Sequence, residues 1–372
     1  MEINNRNHFL LFNRKEINKS QIIDFIKQIE KYFFGFLVKD TDAIKKPIQP
    51  NLFFYKNSIY YNVKKIVNNK LINSFGNLIN EITIMLYDDF FNKKQLIKYN
   101  EAYKQFIFPK FVKNSNNYDK ALLIDFINQI KATKKIKLNL VIDISKIEKD
   151  FIIMFNKYSN FGIEYHIVVH NKLNFDIALE KLLLIINYNK DVLFNFLVVP
   201  PINSKKLFKL NTRLNFNNNF KFSFIVQNEK EINEVHTYIC NNKLFKFDII
   251  PYYNKKNIHF LKKYVYIRKK DILKHIQTFE ELYFKEFYNI SNFGKIIVDY
   301  NGDIYSNINK QKLGNIRINS FNQIVEKEIF EKRIWEINRN KVNPCSNCIY
   351  KILCPPISNY SFVLKKYNLC LL

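Results

Sequence analysis

The chain has 372 residues, 47% of them hydrophobic and 16% aromatic, which excludes a disordered, collagen-like or low-complexity polymer. Fifty-nine Lys and Arg against 33 Asp and Glu give a net charge of +26, a balance that in principle suits a polyanion or an anionic membrane face. Only six glycines occur and none are closely spaced, which excludes GxGxxG and Walker A phosphate loops.

In chain order, the sequence predicts a short strand over His8 to Phe12. A helix capped by Ser20 follows, with apolar residues at Ile22, Phe25, Ile26, Ile29 and Phe33 and an end near Gly35. A Pro-marked segment (Pro47, Pro50), a helical region over Tyr61 to Asn80 and a strand over Glu81 to Tyr87 come next. Helices and strands then alternate: helix Leu122 to Ile130, strand Leu138 to Ile144, helix Phe151 to Tyr158, strand Tyr165 to Val169, helix Ile177 to Tyr188, strand Val192 to Val199. Strand Phe222 to Val226, helix Glu229 to Ile239 and strand Phe245 to Ile250 continue the pattern, and Asn-rich Asn211 to Asn219 reads as a surface connection. This alternation predicts an α/β fold of βαβ units with a mostly parallel sheet. About six units fall short of the eight in a closed barrel, so a partial, open TIM-like (β/α) barrel is expected over residues 1–289. Beyond about Ile290, three of the six glycines and four of the five cysteines appear, and a small loop-rich domain is expected over residues 290–372. Ser320 to Gln323, ahead of Ile324 and Val325, has the form of a capping box.

The lysines fall in scattered pairs such as Lys45-Lys46, Lys134-Lys135 and Lys262-Lys263, not in a stripe, so nucleic acid is the weaker reading of the charge. The abundance of Lys, Asn, Ile, Phe and Tyr is what AT-rich codons impose, and this bias is taken as the main source of the charge. The N-terminus lacks a signal-peptide core and cleavage site, and no window reaches the roughly 18 apolar residues of a membrane span. A soluble cytoplasmic protein without membrane attachment is therefore expected, in a compartment where a cysteine cluster favours metal over disulfides.

Cys345 and Cys348 are separated by two residues, Cys354 follows after five more, and Cys370 closes the set fifteen later. Four thiolates suffice for one cluster or one tetrahedral metal. Zinc ribbons use two CxxC knuckles, whereas only one is present here, so the spacing favours an iron–sulfur cluster, with structural zinc and unliganded thiols as alternatives. Pro344, Pro355 and Pro356 would stiffen the ligand loops. Cys240 stands alone near a helix end and reads as a small buried hydrophobe. His166 and His170 lie four apart, but on a strand that spacing is about 13 Å, too far to share an ion. Asp88, Asp89 and Asp143 stand at strand ends, where carboxylates can do acid–base work, although loop-capping is their commoner role. No GxSxG or HExxH motif occurs.

The tail PCSNCIYKILCPPISNYSFVLKKYNLC resembles the cysteine-rich end of SPASM domains, which carry auxiliary [4Fe-4S] clusters behind radical SAM barrels. SNFGKIIVDYNGDIYSNINKQKLGNI, Ser291 to Ile316, resembles the hairpin that opens such domains. With FFGFLVKDTDAIKKPIQP and NEITIMLYDD, these segments together resemble the pseudo-radical-SAM proteins of Bacteroidales peptide-modification systems with double-glycine leaders. The resemblance implies a degenerate radical-SAM-like barrel followed by a SPASM-like domain. It implies one [4Fe-4S] cluster on Cys345, Cys348, Cys354 and Cys370, since the other auxiliary cluster would need ligands where this chain has Ser306 and Ser358. It further implies no SAM cofactor, because the three closely spaced cysteines of a radical SAM site are absent and no Cys precedes Cys240. The implied partners are a ribosomal precursor peptide and a radical SAM peptide maturase. The expected role is a non-catalytic, peptide-binding accessory protein, with an electron-relay or redox enzyme and a zinc-stabilised basic nucleic-acid binder as alternatives.

Overall fold

The computed structural model describes residues 2–4, 9–11, 78–86, 98–110, 120–130, 135–142, 161–169, 175–188, 192–214, 219–242, 246–274 and 279–371. They divide into two units, residues 1–61 and 62–372. In the first, β1 (Glu2–Asn4) pairs antiparallel with β2 (Phe9–Leu11), Ile3 opposite Leu10, so the first expected strand is found. The Ser20-capped helix, the Pro47–Pro50 segment, the helix expected over 151–158 and nearly all of the 61–80 region lie outside the described residues.

The second unit alternates as its sequence predicts. β3 (Glu81–Met85), α1 (Lys120–Asn128), β4 (Ile136–Ile142), β5 (Phe161–Val169), α2 (Phe175–Tyr188) and β6 (Leu193–Val198) come first. α3 (Ser204–Leu214), β7 (Phe220–Val226), α4 (Glu229–Asn242) and β8 (Phe247–Pro251) follow. Next are α5 (Ile258–Tyr264), β9 (Ile267–Arg268), α6 (Lys269–Lys274), α7 (Phe279–Phe287), β10 (Lys295–Val298), β11 (Asp303–Tyr305) and β12 (Gly314–Asn315). α8 (Phe321–Lys327), α9 (Asn359–Val363) and β13 (Cys370–Leu371) end the described chain. One nine-stranded sheet runs β12-β11-β10-β3-β4-β5-β6-β7-β8, parallel from β10 to β8 and antiparallel through β10, β11 and β12. The fold is therefore α/β with a mostly parallel sheet. Strands β10 to β12 come from beyond residue 290, so the segment read as a small separate domain extends the main sheet. Gly294 makes that junction at φ +69°, its carbonyl accepting from Asn80 and Glu81 N–H; a Cβ there would meet the Leu78 carbonyl at 2.4 Å.

The stretch read as an Asn-rich loop from Asn211 is in part helical, because α3 runs to Leu214. Buried Leu207 and Leu210, one turn apart, anchor it, and the Thr212 hydroxyl satisfies the Phe208 and Lys209 carbonyls. Local apolar spacing outweighs the Asn content. The expected capping box is present: the Ser320 side chain accepts from Gln323 N–H while the Gln323 side chain accepts from Ser320 N–H.

Strands β3 to β8 are neighbours in sequence order, an order in which right-handed crossovers carry connecting helices to one face, and α4 packs on the face that holds Phe224. That face is apolar: Ile82, Ile84, Leu138, Leu140, Tyr165, Ile167, Phe194, Phe196, Phe222 and Phe224 are all buried. Its rings form a cross-strand series, Tyr165 on Phe194 at 5.7 Å and Phe196 on Phe222 at 5.4 Å, and Phe224 meets Tyr238 of α4 at 6.0 Å. Each such pair adds about 0.5–1.5 kcal/mol beyond area burial.

Candidate functional site

The opposite face of the sheet is built in three tiers. At the N-terminal ends of the strands, opposite charges are joined across them: Lys295 to Glu81 at 3.0 Å, Lys137 to Glu164 at 2.8 Å, Lys221 to Glu164 at 3.7 Å and to Asp248 at 3.4 Å. Burial pushes the Glu164 carboxyl up, but His166, Lys137 and Lys221 together hold it below the usual range.

Above this belt, one buried polar residue per strand joins a hydrogen-bonded chain. Ser223 Oγ donates to Asn195 Oδ1 at 2.8 Å, and Asn195 Nδ2 lies 3.3 Å from His166 Nδ1. His166 Nε2 lies 3.2 Å from Asn139 Oδ1, while Asn139 Nδ2 donates to Glu81 Oε1 at 2.7 Å and Thr83 Oγ1 at 3.3 Å. Because each amide nitrogen is committed on one side, the ring is assigned Nε2–H as donor and Nδ1 as acceptor. Burial, with Lys137 and Lys221 adding, pushes His166 down to about 4 against the pull of Glu164, so the imidazole is neutral at pH 7. Its partners are two amides, and His170 lies outside the described residues, as do Asp88, Asp89 and Asp143.

The third tier is apolar. Val168, Leu197 and Ile225 are covered by Tyr99, Ala102, Phe108 and Tyr252, with Tyr103 and Phe106 packed against them. The covering segment, residues 98–110, is fastened on two sides. Gln105 makes paired 2.8 Å bonds to the Tyr253 backbone, beyond β8. Lys110 bonds Asp299, beyond β10, at 3.2 Å and lies over the Tyr103 and Tyr300 rings, while Asn309 Nδ2 donates to the Lys104 carbonyl. This strap fills the face at the C-terminal ends of the strands with the chain's own aromatic rings.

The cysteines lie elsewhere. Cys345 opens a 3-10 turn, Cys345–Asn347, and its carbonyl accepts from Cys348 N–H at 3.0 Å. Cys354 N–H bonds the Tyr350 carbonyl, and Cys370 begins β13, which pairs parallel with β9 opposite Ile267. Cys345 and Cys354 are buried, Cys348 and Cys370 partly exposed. Burial raises the Cys354 thiol, Arg339 opposes, and the thiols of Cys348, Cys370 and Cys345 raise it further. Cys240 is exposed on α4, contrary to the sequence reading: on that helix the inward positions are taken by Ile232, Val235, Tyr238 and Ile239.

Two cations sit among the thiols. Buried Arg339 donates to the Pro355 carbonyl at 2.6 Å, the Tyr367 carbonyl at 3.2 Å and Cys345 Sγ at 3.3 Å. Lys285, pushed down to about 8 by burial, donates to the Cys354 carbonyl at 3.1 Å. Val342, Ile357 and Phe362 pack with Cys345 behind the site. Among the described residues no three Cys, His, Asp or Glu side chains converge closely enough to hold an ion. As arranged, the four thiols do not make a metal-binding group, and Cys345 Sγ donates instead to the Tyr367 carbonyl at 3.6 Å.

Of the two positions where the SPASM resemblance would put further ligands, Ser306 and Ser358, the first is engaged in a hydrogen bond and the second makes no side-chain cap bond. Ser306 donates to Glu328 Oε2 at 2.7 Å, and Trp335 N–H to Glu328 Oε1 at 2.6 Å. Burial pushes Glu328 up to about 7 against those donors. Asn307 Nδ2 bridges Asn292 and Asn359 at 3.0 and 2.8 Å, and Ser358 precedes α9 as its N-cap residue.

No helix among the described residues is long and apolar enough to cross a membrane. Neither protein-family models nor curated proteins include a match to this chain.

Proposed function

We propose that this protein is a non-catalytic accessory component of ribosomal-peptide maturation, acting beside a radical SAM maturase and holding one [4Fe-4S] cluster on Cys345, Cys348, Cys354 and Cys370. The observation that supports this reading is the spacing of Cys345, Cys348, Cys354 and Cys370 in the sequence, with buried Arg339 donating to Cys345 Sγ and buried Lys285 to the Cys354 carbonyl. A bound cluster supplies one-electron transfer, and the chain supplies sulfur ligands, two cations against the thiolate charge and an apolar backing from Val342, Ile357 and Phe362.

A degenerate, partial barrel for the main sheet is supported by the stagger of its polar tier. Thr83 is level with Asn139, and His166 with Asn195. The chain of bonds climbs two residues between β4 and β5, where Asn139 is level with Glu164, and two between β6 and β7, where Asn195 is level with Lys221. One residue per strand step is the shear of an eight-stranded TIM barrel. In such a barrel the C-terminal strand ends carry the active site, and here the strap covers them, which favours a non-catalytic role. Strand β8, an edge with Phe247 and Asp248 exposed, is then the place for an extended precursor peptide to add a strand. Partly exposed Cys348 and Cys370 favour electron relay to the maturase as a second reading.

Anaerobic reconstitution with iron and sulfide tests the proposal. About four irons per chain are expected, lost in Cys348→Ala, and no 5′-deoxyadenosine from SAM after dithionite reduction. Stoichiometric zinc without iron would favour the nucleic-acid alternative, and SAM cleavage abolished by Cys354→Ala would overturn the accessory role.

A further inference from the structure

We propose that strand β8 pairs antiparallel with β8 of a second copy of this chain, about a two-fold axis at Phe247, and so joins the charged belts of the two copies. The inference rests on the edge of the sheet alone, not on the cysteines. It goes beyond the role given to β8 above, because a second copy and an extended peptide then compete for one edge.

The register decides which backbone groups the edge offers. Phe222 N–H bonds the Lys246 carbonyl, Tyr252 N–H bonds the Val226 carbonyl, and Phe222 is level with Phe247. In a parallel ladder this turns the backbone groups of the even-numbered β8 residues toward β7 and those of the odd-numbered ones outward. Among the described residues nothing bonds the outward N–H and C=O of Phe247 and Ile249. Pro251, the next outward residue, has no N–H, and its carbonyl accepts from the Tyr360 hydroxyl. The ladder therefore stops there and cannot run on into an open ribbon. A short run blunted at one end suits a closed, self-complementary pair.

Charge selects both the partner and the register. The belt at the N-terminal ends of the strands alternates in sign from Lys137 to Glu164, Lys221 and Asp248. It ends on Asp248, whose side chain is 56% exposed, with exposed Lys246 two residues before it. A two-fold pairing centred on Phe247 sets Lys246 of each copy opposite Asp248 of the other, so each belt gains the cation that comes next in its alternation. It also makes the two Phe247 residues a pair that exchanges both N–H···O bonds. Centring on Asp248 would set two carboxylates face to face, and centring on Ile249 would set Phe247 opposite Pro251, which cannot donate. Opposite charges directly across an antiparallel pair attract and like charges repel, so the first register alone satisfies backbone and charge together. The net charge of +26 opposes association over distance, but salt screens it beyond about 8 Å, and the facing pairs lie within that range.

Sedimentation velocity of the whole chain in about 0.15 M salt, taken to about 200 μM because so small a contact associates weakly, should show a monomer–dimer equilibrium. Lys246→Glu and Asp248→Lys are each expected to dimerise about tenfold more weakly, since two attractive pairs become repulsive. An equimolar mixture of the two variants is expected to recover the dimer, because each then faces the opposite charge on the other. A wild-type chain that stays monomeric overturns the inference and leaves β8 to the peptide. A dimer that neither substitution weakens overturns it, and so do two weakened variants that do not recover on mixing. If Asp248→Lys fails to fold by circular dichroism, Lys246→Glu decides alone: weaker association supports the inference and unchanged association overturns it.

Discussion

Acidification should unfold this protein through His166. Its imidazole is 3% exposed and neutral, with amides from Asn139 and Asn195 on its two nitrogens, Glu164 beside it on β5, and Lys137 and Lys221 facing it from β4 and β7. Its pKa falls from 6.5 to about 4 on folding, so between those values the unfolded chain binds a proton that the folded chain does not. Stability then rises with pH: this contribution is complete above 6.5 and is lost as pH falls from 6.5 through about 4. At 1.36 kcal/mol per pKa unit, the loss reaches about 2 kcal/mol at pH 5 and about 3.4 kcal/mol when the folded-state group has titrated. Glu164, held below its usual range, has its own acid loss at lower pH, so the comparison must isolate the imidazole. Urea unfolding from pH 4.5 to 8, followed by Trp335 fluorescence on wild type and His166→Gln, does so, since Gln keeps a donor and an acceptor but does not titrate. The wild type should lose about 2 kcal/mol more than the variant between pH 7 and 5. Equal losses would refute the neutral, amide-held histidine.

Other outcomes follow from the same structure. Glu328, raised from 4.5 to about 7, loses stability as pH rises through that interval, so Glu328→Gln should gain about 3 kcal/mol relative to wild type between pH 4.5 and 8; parallel pH profiles in urea melts would contradict it. Tyr99→Ala, at the fully buried centre of the strap, should cost about 3–5 kcal/mol, and a cost below about 1 kcal/mol would mean that the strap does not pack as described.

The strands and most helices were legible because runs such as IKLNLVI and FNFLV are bounded by turn residues and alternate with helical periods. The cysteine spacing is plain in the sequence, but no metal-binding group forms from it among the described residues. What escaped was non-local or non-periodic. Residues 98–110 carry no helical or strand period, and their role comes from contacts with Tyr253 and Asp299 far along the chain. Arg339 and Lys285 look like any other surface cations until the chain folds: Lys285 meets the Cys354 carbonyl across 69 residues. The polar tier did leave a mark, a single Asn, His or Ser near the centre of successive strands otherwise fit for burial on both faces. Its meaning depends on stagger, which one sequence does not specify.

That tier also bears on how the sequence can change over generations. Its hydrogen bonds all run one way, from the Ser223 hydroxyl to the Glu81 carboxylate, so each side chain is fitted to the donor or acceptor that its neighbour presents. An apolar replacement at one position strands a buried group on the next strand, at about 1–3 kcal/mol, although replacing the whole set could be neutral. Descendants can therefore leave this arrangement only through less stable intermediates. The row is thus held in place across generations by the difficulty of removing any single member.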